Sequence, residues 1–77
     1  MIEALTKYVE EQGYKVQILE KMTLIRKDLP TGHYLYTIWH ISRLELEYIR
    51  SIEPLLEVVH QHFTAIEEAE AALRDQS

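Results

Sequence analysis

The spacing of apolar residues changes period twice along the chain, which restricts it to a mixed architecture. Ile2, Leu5, Tyr8 and Val9 share one face at helical spacing, with Glu3, Lys7, Glu10 and Glu11 outside it. Gly13 follows the last of them, where a left-handed residue ends a helix at least steric cost. From Tyr14 the period is two: Tyr14, Val16 and Ile18 alternate with Lys15 and Gln17, as in a strand with one buried face. A second extended run follows through Met22, Thr23, Leu24 and Ile25. Asp28-Leu29-Pro30-Thr31-Gly32 is then the strongest turn signal in the sequence. Residues 33–41 are rich in Tyr, Thr, Ile and Trp, which suit a pleated surface. Three strands joined as a meander are the economical reading.

Ser42-Arg43-Leu44-Glu45 matches a capping box and returns the chain to helical spacing. Leu44, Tyr48, Ile52, Leu55, Val59 and Phe63 recur at three and four residues, an amphipathic stripe. Leu44-Glu45-Leu46-Glu47-Tyr48 also alternates, so a fourth strand over residues 44–50 stands as the alternative. Pro54 in a helix interior would cost about 3 kcal/mol, which predicts a break near residues 51–54 and a restart with Pro54 in the first turn. Thr64-Ala65-Ile66-Glu67 is a second capping box and predicts another helix start. Its apolar face is thin (Ile66, Ala69, Leu73), which predicts loose docking. The expectation is an α+β fold, a small three-stranded antiparallel meander with helices in the order α-β-β-β-α-α, forming a single domain over residues 1–77.

A chain of this length buries roughly three-fifths of the surface its unfolded form exposes. Apolar residues make up 47% of it, enough for a core, and there is no cysteine to supply a disulfide or a thiolate metal site. Small domains without such staples lean on close packing or self-association. No stretch approaches the roughly 20 apolar residues of a membrane span. The opening Met1-Ile2-Glu3-Ala4 lacks the basic and apolar segments of a signal peptide, so a soluble cytoplasmic protein without membrane contact is expected.

The residues that carry chemistry are present without the company that chemistry needs. Four histidines occur, of which His60 and His62 are too close for the i,i+4 pair of a zinc helix, and no third ligand accompanies them. With glycines only at 13 and 32, neither a phosphate loop nor a nucleophile elbow can be built. The paired carboxylates read as capping or solvated helix residues. No catalytic, cofactor-binding or metal-binding residue is assigned, and the chain is read as non-enzymatic, with no cofactor.

Two features point to binding instead. The net charge of −5 lies wholly in residues 43–77, where eight acids face Arg43, Arg50 and Arg74. Charge asymmetry of this kind concerns partners rather than fold. In the third strand, Tyr34, Tyr36 and Ile38 face one way and Leu35, Trp39 and Ile41 the other. Two apolar faces require two covers: either helices wrap both sides, or another copy or partner covers one. The expected function is a small protein-interaction module, an accessory or regulatory protein or an inhibitor, acting as a homodimer and on a protein partner. Tyr34, Tyr36 and Trp39 are its candidate anchors. Glu67, Glu68 and Glu70 are the candidate acidic surface, which in an inhibitor, together with Glu45, Glu47, Glu53 and Glu57, would occupy a basic groove meant for nucleic acid. The alternative is single-stranded nucleic-acid binding through the sheet, since Lys15, Lys21, Arg26, Lys27 and Arg43 interleave with its aromatics.

Overall fold

The structure is a computed structural model, and it describes residues 1–76. Helix α1 (Ile2–Glu11) leads into strands β1 (Lys15–Ile18), β2 (Thr23–Asp28) and β3 (Tyr34–Trp39), followed by helices α2 (Arg43–Tyr48) and α3 (Glu53–Asp75). The strands form one antiparallel sheet in sequence order. This is the expected α+β meander with its α-β-β-β-α-α order. Among the described residues, no helix is long and apolar enough to cross a membrane.

Local chemistry sets the boundaries. The chain leaves α1 through Gly13 at φ +89°, a conformation that any Cβ would strain. The β2–β3 connection closes with the Gly32 N–H donating to the Leu29 carbonyl and the Leu29 N–H to the His33 carbonyl (3.1 and 2.8 Å), with Gly32 at φ +90°. This is a type I turn followed by a left-handed residue, the usual three-residue hairpin loop. The Ser42 capping box forms in both directions, the Glu45 N–H reaching Ser42 Oγ at 3.1 Å and the Ser42 N–H reaching Glu45 Oε1 at 3.3 Å. The segment is therefore helical, and the alternative fourth strand is not formed.

All three helices lie on the same side of the sheet. Leu5 and Val9 from α1, Leu46 from α2, and Leu55, Val59, Phe63 and Ile66 from α3 meet Tyr14, Ile25 and Ile41 in one core. The phase of the α2 stripe differs from expectation: Leu46 is fully buried, while Leu44 and Tyr48 are 61% and 76% exposed. The break before Pro54 is the cause, because it uncouples the register of the short α2 from that of α3.

The expected restart at Thr64 does not occur. Helix α3 runs unbroken for 23 residues with Pro54 in its first turn. A capping box stops nothing by itself, and the stripe Val59, Phe63, Ile66 crosses the Thr64 position without losing phase. The C-terminal half is anchored at its start, while Ala69 and Leu73 of its thin apolar face stay exposed. Ile66 is 1% exposed, and Lys27 Nζ on β2 donates to Glu67 Oε1 and Glu70 Oε1 at 3.0 and 2.9 Å.

Ile66→Ala should therefore cost about 2–5 kcal/mol, read as a lower urea midpoint with an unchanged slope. Strong amide protection across residues 65–72 should accompany the wild type. Fast exchange there would show a helix held only at its first half.

Candidate protein-binding face of the sheet

Because strand side chains alternate, covering one face of this sheet leaves the other in solvent. The open face carries Lys15 and Gln17 from β1, Leu24, Arg26 and Asp28 from β2, and Tyr34, Tyr36 and Ile38 from β3. Tyr34, Tyr36 and Ile38 are 55%, 56% and 44% exposed. Cross-strand registry sets Ile38 beside Leu24, Tyr36 beside Arg26 and Tyr34 beside Asp28. A shallow depression of about 330 Å³ is bounded by Gln17, Leu24, Arg26, Tyr34, Tyr36 and Ile38.

The aromatic pair is held by its neighbours. The Tyr34 and Tyr36 ring centroids are 6.3 Å apart and tilted by 47°. The Arg26 guanidinium lies 5.2 Å from the centre of the Tyr34 ring, a cation–π distance. Lys15 Nζ and Arg26 Nε approach the Asp28 carboxylate at 2.7 and 3.5 Å. The hydrogen bond from Lys15 holds the Asp28 carboxyl below its usual range. The face thus carries two cations and one anion around an apolar centre, in a chain whose net charge is −5.

The remaining residues singled out from the sequence lie elsewhere. Trp39 points to the helical side, half-buried, its ring centroid 5.8 Å from that of His62. Burial lowers the pKa of His62. Glu67, still exposed, and the partly buried Glu70 turn toward the sheet: Tyr14 donates a hydrogen bond to Glu67, stacks on Phe63 at 4.1 Å between centroids, and lies beside the Lys27 bridge. The Tyr14 hydrogen bond, then Lys27, lowers the Glu67 pKa. Burial, then Glu67, pushes the Tyr14 phenol up to about 12. Of the three glutamates, only Glu68 points away on the outer side of α3. His60 is hydrogen-bonded to Tyr8. No group of three or more His, Asp or Glu side chains able to hold a metal occurs among the described residues.

Leu24 completes the open face and was not singled out from the sequence, and Arg26 was singled out only among the cations of the nucleic-acid alternative. Their place follows from strand registry, which a single sequence shows only once the turn is fixed. No family model matches this chain, and neither does any curated protein or solved structure.

The ionic cluster gives pH limits with definite sign. Tyr14 and Lys27 both have raised pKa values in the fold, Lys27 through hydrogen bonds to Glu70 and Glu67. Their contribution is complete below their unfolded values and is lost as pH rises through the folded ones, so stability should fall from about pH 10 upward. His62 and Glu67 are lowered, so their contributions hold above their unfolded values and fade as pH falls, His62 first, from about pH 6.5. Denaturant midpoints measured across pH should show both limbs. His62→Gln should flatten the limb that begins near pH 6.5, and an unchanged profile would remove His62 from the acid limb.

Proposed function

We propose that this protein is a small non-enzymatic interaction module that engages a protein partner through the open face of its sheet. The observation that carries this reading is the contiguous set Leu24, Tyr34, Tyr36 and Ile38, of which the last three are exposed large apolar side chains. Contiguous exposed apolar surface of this kind marks interaction sites. Two rigid tyrosines beside an arginine have the composition of contact hot spots, because they lose few rotamers on binding. The polar rim of Lys15, Gln17 and Asp28 supplies orientation rather than affinity. We place Trp39 with the core, where its substitution acts through stability. Glu67 and Glu70 are engaged within the fold, so they contribute to binding only by holding α3 in place.

A second reading rests on one observation, the Arg26 guanidinium over Tyr34. Aromatic rings flanked by cations stack single-stranded bases in several folds. Asp28 within the same cluster, and the acid excess of the chain, weigh against a polyphosphate ligand.

A photoreactive phenylalanine analogue at position 36 should crosslink a discrete partner from an extract of the source cells, whereas the same group at Glu57 should not. Excess unlabelled wild type should compete, and the Tyr34→Ser/Tyr36→Ser variant should not. Equal labelling at both positions would move the surface elsewhere. Affinity for a labelled oligothymidylate that falls steeply with added salt would favour the nucleic-acid reading.

A further inference from the structure

Among the described residues strand β3 pairs only with β2, so its other side is a free edge. Soluble proteins usually guard such an edge with charge, proline, a bulge or a covering segment. Here the edge reads Tyr-Leu-Tyr-Thr-Ile-Trp, without a charge, a proline or a glycine. The Leu29 N–H on the His33 carbonyl fixes which residues face outward. In an antiparallel pair the main-chain groups alternate in direction. Positions 35, 37 and 39 therefore turn theirs to β2, and Tyr34, Tyr36 and Ile38 turn their N–H and C=O groups to the free side.

Helix α3 lies along this edge in the opposite direction. His62 meets Trp39 at one end, and at the other a crevice of about 720 Å³ opens between Leu29, Leu35 and Leu73, with Glu70 and Arg74 also on its walls. The flank of α3 on that side is Val58, His62, Ala65, Ala69 and Leu73 at helical spacing. No acid falls in this row, although α3 itself carries Glu53, Glu57, Glu67, Glu68, Glu70 and Asp75. This side of the molecule is thus a free strand edge beside a helix row without acids, with Glu70 and Arg74 confined to the crevice at its end.

We propose that this side is an interface between two copies of the chain, joined by antiparallel β3–β3 pairing about Tyr36 into one six-stranded sheet. This deepens the interaction-module reading by naming the surface that makes the dimer, and it rests on that reading only for the use of the open face. A two-fold axis normal to the sheet makes the outward groups self-complementary: Tyr36 pairs with Tyr36 of the second copy, and Tyr34 with its Ile38. The same axis keeps both helical layers on one side and brings Trp39 of each copy to the mouth of the other's crevice. A lone extended peptide would satisfy the edge but leave the α3 flank bare, which is why a second copy is the fitting occupant. Neighbouring strands lie about 4.8 Å apart, whereas packed helices sit 8–10 Å apart. Two α3 helices above a shared seam must therefore approach closely. The Lys27 bridge draws α3 back toward β2, and alanine at 65 and 69 permits the rest. The two open faces then join into one continuous platform bearing four exposed tyrosines.

Sedimentation of the full chain at high micromolar concentration should give twice the chain mass. Tyr36→Pro deletes an outward N–H, a change that edge strands accept, and should yield a monomer with an unchanged circular dichroism spectrum. Ala69→Glu, on an exposed helix position, should do the same without touching the sheet. Tyr34→Ser/Tyr36→Ser keeps the main chain and should remain dimeric while losing the partner, which separates this inference from the function of the open face. A monomeric wild type would overturn the proposal, and so would a dimer that survives both Tyr36→Pro and Ala69→Glu. A dimer abolished only by the double serine variant would mean face-to-face packing of the sheets and would also overturn it.

Discussion

A sheet of three short strands has two faces, and this chain has helices enough for one. Everything else in the molecule follows from how that one face is closed. The inner surface presents Tyr14, Ile25 and Ile41 to four residues of α3 spaced at three and four. Tyr14 stacking on Phe63 fixes where the helix crosses the sheet. Core side chains that are fully excluded from water, such as Leu5, Ile25, Leu46 and Ile66, are each worth on the order of 2 kcal/mol. A domain this small has a net stability of only a few such contributions, so the helical side leaves little to spare for disorder in α3.

The same closure explains why the open face is composed as it is. With no second layer to receive them, Tyr34, Tyr36 and Ile38 remain in water at a hydrophobic cost that a solitary monomer would not need to carry. Polar side chains at those positions would satisfy the strand equally well. Tyr34 and Tyr36 instead keep defined orientations through Arg26 and each other, so that a binding partner would order little that is not already ordered.

Much of this was legible in the sequence because it depends on period and on local chemistry. The change to alternation at Tyr14, the turn at Gly32, the box at Ser42 and the break before Pro54 each act within a few residues, and each is found in the fold. The two-faced character of β3 was legible for the same reason. The continuity of α3 was not. Thr64-Ala65-Ile66-Glu67 carries a valid start signal, but the burial of Phe63 and Ile66 on either side decides the outcome, and burial depends on residues far away in the chain. Glu67 and Glu70 likewise resemble solvated helix residues until the sheet places Lys27 beneath them. Which main-chain groups of β3 point outward could be known only after the β2–β3 turn was fixed.

The lysine on the inner side of β2 has a consequence for how the sequence can change over time. Lys27 serves Glu67 and Glu70 together, and Tyr14 shares Glu67 with it. Replacing Lys27 alone leaves two carboxylates side by side near a phenol, and replacing one glutamate alone leaves a cation with half its ligands. Such effects are not additive within a shared network. Positions 14, 27, 67 and 70, far apart along the chain, are therefore bound to drift as a set: a family of such proteins would either keep all four or exchange them together for an apolar group of similar volume.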